Sequence, residues 1–148
     1  MGMTSPTDEW GTPRWFFDEL NEEFQFTIDA CANRYNYLLP RYWTKEQDCK
    51  KQDWTGEVVF INPPYSQPNL EEIVPYCAAG QAWTVVAILP VNTSTRWFHK
   101  YIWDSNKEEP CPGVAVRFLK RRLAFVDPVS QRSAPRHDTM VVIWQKQW

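Results

Sequence analysis

The residues best suited to chemistry are four in a row, Asn62, Pro63, Pro64 and Tyr65, set at the end of the apolar run EVVFI. Two successive prolines fix φ and withhold two backbone N–H donors, so the carbonyls beside them can be aimed outward without competing local hydrogen bonds. An amide oxygen, an aimed carbonyl and an aromatic face make a site for a planar group bearing an NH2. The oxygens accept its two hydrogens and the Tyr65 ring stacks on it. Such a site suits alkylation of an exocyclic amine. Adenine N6 is a poor nucleophile because its lone pair is delocalised into the ring, and two acceptors that favour a pyramidal nitrogen localise that pair. Held in line with a methyl sulfonium, the nitrogen attacks by direct displacement, orientation lowers the barrier, and no nucleophilic Cys or Ser is required. The other reading of the tetrapeptide is a tight turn at a strand exit.

These residues need elements that bring them to a rim. EVVFI and WTVVAILPV are near-continuous β-branched and apolar runs, the mark of strands covered on both faces. In an open α/β sheet, ligands sit beyond the carboxyl ends of the strands, which is where Asn62 to Tyr65 fall when EVVFI is central. Pro13 opens a helix expected over about 13 to 23, with Trp15, Phe16, Leu20 and Phe24 near helical spacing. FQFTIDACA suits a strand over about 25 to 30, and the stretch that follows, as far as Trp54, is irregular with one helical turn. NLEEIVPYCAAG reads as a helix despite Pro75, stopping at Gly80. TSTRWFHKYIW reads as another, with Thr93, Ser94 or Thr95 as its cap. Three strand-like runs follow, GVAVRFLK, RLAFVD and TMVVIWQ, separated by a KRR turn and a loop rich in Pro, Ser and Arg. The expected fold is α/β, one domain over 1–148, with a sheet parallel in its middle and closed by an antiparallel hairpin at one edge.

No stretch approaches the roughly 18 consecutive apolar residues of a membrane helix, and MGMTSPTDEW lacks a basic region followed by an apolar one. A cytoplasmic protein without membrane contact is the expectation. Cys31, Cys49, Cys77 and Cys111 are scattered and form no C-x-x-C pair, so reduced thiols are favoured over a zinc site or disulfides. His99 and His137 show no ligand pattern, and no metal is assigned. Charge is uneven: residues 1–112 carry 9 basic and 16 acidic groups, residues 113–148 carry 7 and 2. A basic final third can supply a local field for nucleic acid despite the net charge of −2.

The chain resembles, nearly end to end, the small phage-type (Dam-like) DNA N6-adenine methyltransferases. The resemblance is carried in order by DEWGTPRWFFDELNEEFQFTIDACA, QDW, INPPY, ILPVNTSTRWFH and RFLKRRLAF. It implies a trimmed Rossmann-like class I methyltransferase fold, S-adenosyl-L-methionine as cofactor and double-stranded DNA as partner. It implies that Asn62 bonds the target amine through its side chain and Pro63 through its carbonyl, with Pro64 stiffening the corner and Tyr65 stacking on the flipped base. It places Thr12 and Pro13, with Trp10 beside them, against the methionine part of the cofactor, and Asp29, Ala30, Cys31 and Ala32 at the first cofactor strand. Asp53, with Trp54 beside it, matches the acceptor for the cofactor adenine's amine, and Asp48 is the candidate for the ribose hydroxyls. Cys31 as simple core packing and Asp53-Trp54 as a loop turn are the alternatives. No glycine-rich motif follows the first strand, and no insert is large enough for a separate target-recognition domain. Sequence choice is therefore expected from loops or from the second subunit of a homodimer.

An enzyme acting on N6 inside a duplex must extrude the base while phosphate contacts hold the DNA. The candidates are Lys120, Arg121 and Arg122, then Arg132 and Arg136 beside His137, and Arg96 and Lys100 on the helix after LPVN; the alternative for each is a solvated surface charge. Two further readings stand: the same transfer to RNA adenine or a protein glutamine, and a Trp-rich single-strand binder without catalysis.

Overall fold

Helix α1, Arg14–Phe24, starts directly after Pro13, whose carbonyl accepts from the N–H groups of Phe16 and Phe17, both at 3.1 Å. The computed structural model that shows this describes residues 11–130, 132–135 and 137–146. The helix buries Phe16, Phe17 and Leu20 along one face. It ends at Gln25, in the left-handed region at φ 55°, with the Asn21 side chain taking the Phe26 N–H at 2.9 Å.

The main sheet has five strands: β1 (Ile28–Asp29), β2 (Val58–Ile61), β3 (Thr84–Pro90), β6 (Val114–Phe118) and β9 (Thr139–Gln145), in the order β1-β2-β3-β9-β6. The pairs β1/β2 and β2/β3 are parallel, while β9 runs antiparallel to both β3 and β6. The sheet is thus mixed, with the parallel half at the end that carries Asp29 and Asn62. Alternation along the strands sorts two cores. Val59, Ile61, Val85, Ala87 and Leu89 face helices α2 (Asn69–Ala78) and α3 (Arg96–Tyr101), whereas Phe60, Val86 and Ile88 face α1. Both faces of β2 and β3 are covered, as their unbroken apolar runs require.

Three local expectations change. The strand foreseen over 25 to 30 shrinks to Ile28–Asp29. Phe26 N–H is taken by Asn21, and the Thr27 hydroxyl accepts the Val58 N–H at 2.9 Å, so side chains occupy bonds a longer ladder would use. Thr95 is the N-cap residue of α3, but its hydroxyl donates to the Asn92 carbonyl at 2.8 Å and does not cap the helix. RLAFVD does not join the main sheet. Its strand β7 (Ala124–Val126) pairs with β8 (Ser133–Pro135) in a separate two-stranded hairpin, with Leu123 and Phe125 drawn into the α1 core. A second small pair, β4 (Trp103–Asp104) with β5 (Glu109–Pro110), precedes β6. The connection from β1 to β2 is irregular apart from one short turn at Cys49–Lys51. Among the described residues no helix is long and apolar enough to cross a membrane.

Candidate active site

The carboxyl end of β2 delivers Asn62 to the rim, half-buried, with Pro63 buried behind it. Asn62 Nδ2 donates to Thr12 Oγ1 at 3.0 Å, and among the described residues Oδ1 receives no hydrogen bond. Thr12 is itself buried and lies between Gly11, which is bridged to Val126 of the hairpin, and Pro13 at the head of α1. Tyr65 is anchored from the side: its hydroxyl donates to the Ile88 carbonyl of β3 at 2.9 Å. Its ring stands edge to face with Phe125 at 6.2 Å and His137 at 5.3 Å. Burial holds the Tyr65 phenol far above its ordinary range, so it remains neutral.

Beside this corner is a small cleft lined by Thr12, Asp29, Cys31, Asn36, Leu38 and Asn62, together with Gly11 and Phe60. Asp29 ends β1 and is 2% exposed. Burial raises its carboxyl from 3.8 to about 7, against the opposing pull of backbone N–H groups of Leu38 and Cys31. The Leu38 bond, 3.1 Å to Oδ2, exists because residues 33–38 fold back over the strand end. Asn33 makes that turn: its side chain accepts from Tyr35 and Asn36 N–H at 2.8 and 3.0 Å. A buried carboxylate poised to ionise, a hydroxyl and an amide around one cleft suit a ligand that carries both a cation and hydrogen-bonding oxygens.

The family described as DNA N-6-adenine-methyltransferase (Dam) matches the chain over residues 3–148. The chain belongs to this family. It is 36% identical over 102 residues to the DNA N-6-adenine-methyltransferase of Haemophilus phage HP1 (strain HP1c1), covering 64% of this chain and 56% of that protein. It is 29% identical over 93 residues to the protein of the same name from Escherichia phage T1, covering 62% of this chain and 39% of the relative. The chain spans about half the length of these curated relatives or less.

Of the positions that family resemblance singled out, Thr12, Asp29, Cys31 and Asn62 meet at the cleft. Ala30 and Ala32 are buried alongside, their N–H groups spent on Phe60 and Trp43 carbonyls. Asp53 and Trp54 stand apart. They lie on the loop leading into β2, at the end of the strand opposite Asn62. Trp54 is a core residue whose indole N–H donates to the Cys49 carbonyl at 2.8 Å. Asp53 is on the surface, where its carboxylate accepts the Thr55 N–H at 2.9 Å and is held below its usual range by that bond. Asp48 caps the Cys49–Lys51 turn by accepting the Lys50 N–H at 3.0 Å. Trp10 and Arg136 lie outside the described residues.

The basic candidates separate into two sets. Lys120, Arg121, Arg122 and Arg132 are exposed around the β7–β8 hairpin, whose Phe125 touches Tyr65. Arg122 pairs with exposed Asp138 at 3.0 Å. Arg96 and Lys100, also exposed, project from α3, which packs on the other face of the sheet. Sequence reasoning missed Gly11, Asn36 and Leu38 at the cleft, since none sits in a periodic or motif-like context; the Asn33-x-x-Asn36 spacing was the available signal for a side-chain-stabilised turn. The scattered cysteines also converge in part, with Cys31 and Cys49 sulfurs 3.9 Å apart and Cys77 in the same core. All are free thiols, and among the described residues no group of His, Cys, Asp and Glu is arranged for a metal ion.

Proposed function

We propose that the protein transfers a methyl group from S-adenosylmethionine to N6 of adenine in double-stranded DNA. One observation carries this reading: at the carboxyl end of β2 an amide is tied through its nitrogen, leaving its oxygen open beside a buried carboxylate. Asn62 Oδ1 and the Pro63 carbonyl accept the two N6 hydrogens, draw the lone pair out of conjugation and stabilise the charge that develops on nitrogen. Tyr65 offers its fixed ring as the stacking surface for an extruded base; inside the helix the amine would be out of reach. No side chain at the corner has to act as nucleophile or base. The amine would supply the electron pair, and its surplus proton would pass to solvent water after the transfer.

The cleft residues fit the cofactor. Asp29 suits an ammonium, the Thr12 hydroxyl suits a carboxylate, and small Ala30, Cys31 and Ala32 let the backbone come close. When bound, S-adenosylmethionine supplies a methyl carried on positively charged sulfur. Asn62 and Tyr65 then orient the acceptor toward it, which is the main source of rate in such a displacement. The exposed cations of the hairpin grip phosphates flanking the extruded base, with Arg96 and Lys100 as a second grip from the opposite face. The strand order β1-β2-β3-β9-β6, with helices on both sides, supports a trimmed Rossmann-like methyltransferase fold in a single domain.

The test is to incubate the protein with duplex DNA and labelled cofactor, digest to nucleosides and identify the modified base. N6-methyladenine is the expected product. Label on RNA or protein alone, or no cofactor binding in calorimetry, removes the reading.

A further inference from the structure

The bond from Asn62 to Thr12 joins residues 50 positions apart, and it involves a hydroxyl whose place is unusually well defined. Thr12 is 5% exposed. On one side Gly11 exchanges two backbone hydrogen bonds with Val126, at 2.7 and 2.9 Å; on the other Pro13 starts α1. The Asn62 amide is therefore fastened to a fixed point. The structure has Nδ2 toward the hydroxyl, and because a hydroxyl accepts as well as donates, the contact by itself does not hold that polarity against its reverse. The polarity is settled once the hydroxyl hydrogen is committed elsewhere. Among the described residues it has no acceptor, and Thr12 opens onto the same cleft as Asp29.

An amino-acid terminus presents both groups that cleft lacks, an ammonium for Asp29 and a carboxylate for Thr12. With the carboxylate accepting the Thr12 hydrogen, the hydroxyl lone pair must face Asn62 Nδ2, and Oδ1 must face the target amine. We infer that Thr12 is a positioning residue that couples occupancy of the cofactor cleft to the polarity of the Asn62 amide. The cofactor thereby prepares the amine site before the base arrives. This rests on the function proposed above.

The experiment compares the parent with Thr12→Val, which keeps the shape and loses the hydroxyl, and Thr12→Ser, which keeps the hydroxyl. Three quantities are measured: cofactor affinity by calorimetry, single-turnover methyl transfer, and affinity for target DNA with and without the demethylated product analogue S-adenosylhomocysteine. In the parent, the analogue is expected to tighten DNA binding at least about fivefold, within the usual range of coupling between sites. In Thr12→Val at saturating analogue and cofactor that factor falls to about one and transfer slows about tenfold or more, the scale of a lost buried hydrogen bond, and the cofactor itself weakens about tenfold or more because its carboxylate loses the hydroxyl. Thr12→Ser retains parental values. Parental transfer by Thr12→Val, a loss confined to cofactor affinity, or absence of coupling in the parent overturns the inference. Should Thr12→Val fail to fold, Thr12→Ala against Thr12→Ser gives the same contrast. A parent that methylates no DNA removes the proposed function itself, whereas an active parent with an equally active valine variant removes this inference alone.

Discussion

The two ends of β2 carry polar residues of similar size, and they are opposites in every physical respect. At the end leading in, Asp53 is fully exposed and one of its carboxylate oxygens accepts the Thr55 N–H two residues on. At the end leading out, Asn62 is half-buried, is tied to a residue distant in sequence and keeps its oxygen open. A side chain that closes a local turn takes its direction from that turn and, here, stays in solvent. One oriented by a distant partner can spend its remaining valence on chemistry. The same contrast separates buried Asp29 from the exposed arginines of the hairpin: the first is worth much to a single ligand, the second act together through a screened field.

The sharpest way to break this comparison is Asn62→Ala. Methyl transfer should fall by roughly a hundredfold or more, as when one preorganised group at a reacting centre is lost, with cofactor affinity unchanged. Parental rates in a single-turnover assay would end the distinction between the two ends of β2. Reversing the charge at Arg121 and Arg122 together should raise the DNA dissociation constant about tenfold or more at low salt. It should also flatten the logarithmic salt dependence by up to about two, since each phosphate contact contributes about 0.9. An unchanged slope would place the DNA face elsewhere.

Asp29 gives a smaller, pH-dependent effect. Because its folded value, about 7, lies above the ordinary 3.8, burying the ionised group costs nothing below about pH 3.8. The cost grows as pH rises through that window and is complete above about 7, reaching roughly 4 kcal/mol at ~1.4 kcal/mol per pH unit. Asp29→Asn should therefore be the more stable protein above neutrality, with the difference in melting vanishing in acid. Conversely, cofactor binding by the parent should weaken as pH drops below about 7, by up to tenfold per unit, and the asparagine variant should lose that dependence. The smallest effect belongs to Asp53→Ala, for which calorimetry should show cofactor affinity within about twofold, as for other exposed surface changes. A large loss there would return the leading-in loop to the site.

Much of this arrangement was legible from local pattern. Unbroken runs such as VVFI and TVVAILP announce strands with both faces covered, and Asn62-Pro63-Pro64-Tyr65 cannot continue either a strand or a helix, so the rim position of that corner follows from backbone chemistry. What stayed hidden depends on partners far along the chain. Gly11 against Val126, Asn36 against the end of β1, and Cys31 against Cys49 have no periodic signature. The departure of RLAFVD from the main sheet goes with the burial of Leu123 and Phe125 in the α1 core, which no local pattern announces. Asp53-Trp54, expected at the cofactor, lies apart from the cleft on an Asx-type turn, with the Trp54 indole bonded inside the core.

The two-rung ladder between Gly11 and Val126 welds the segment bearing Thr12 to the arm that displays the arginines. If the arm holds DNA as proposed, a load on it reaches Thr12 across a single peptide link, without passing through the central sheet. On the proposed function, the surface that meets the double helix and the support of the Asn62 amide are mechanically one unit.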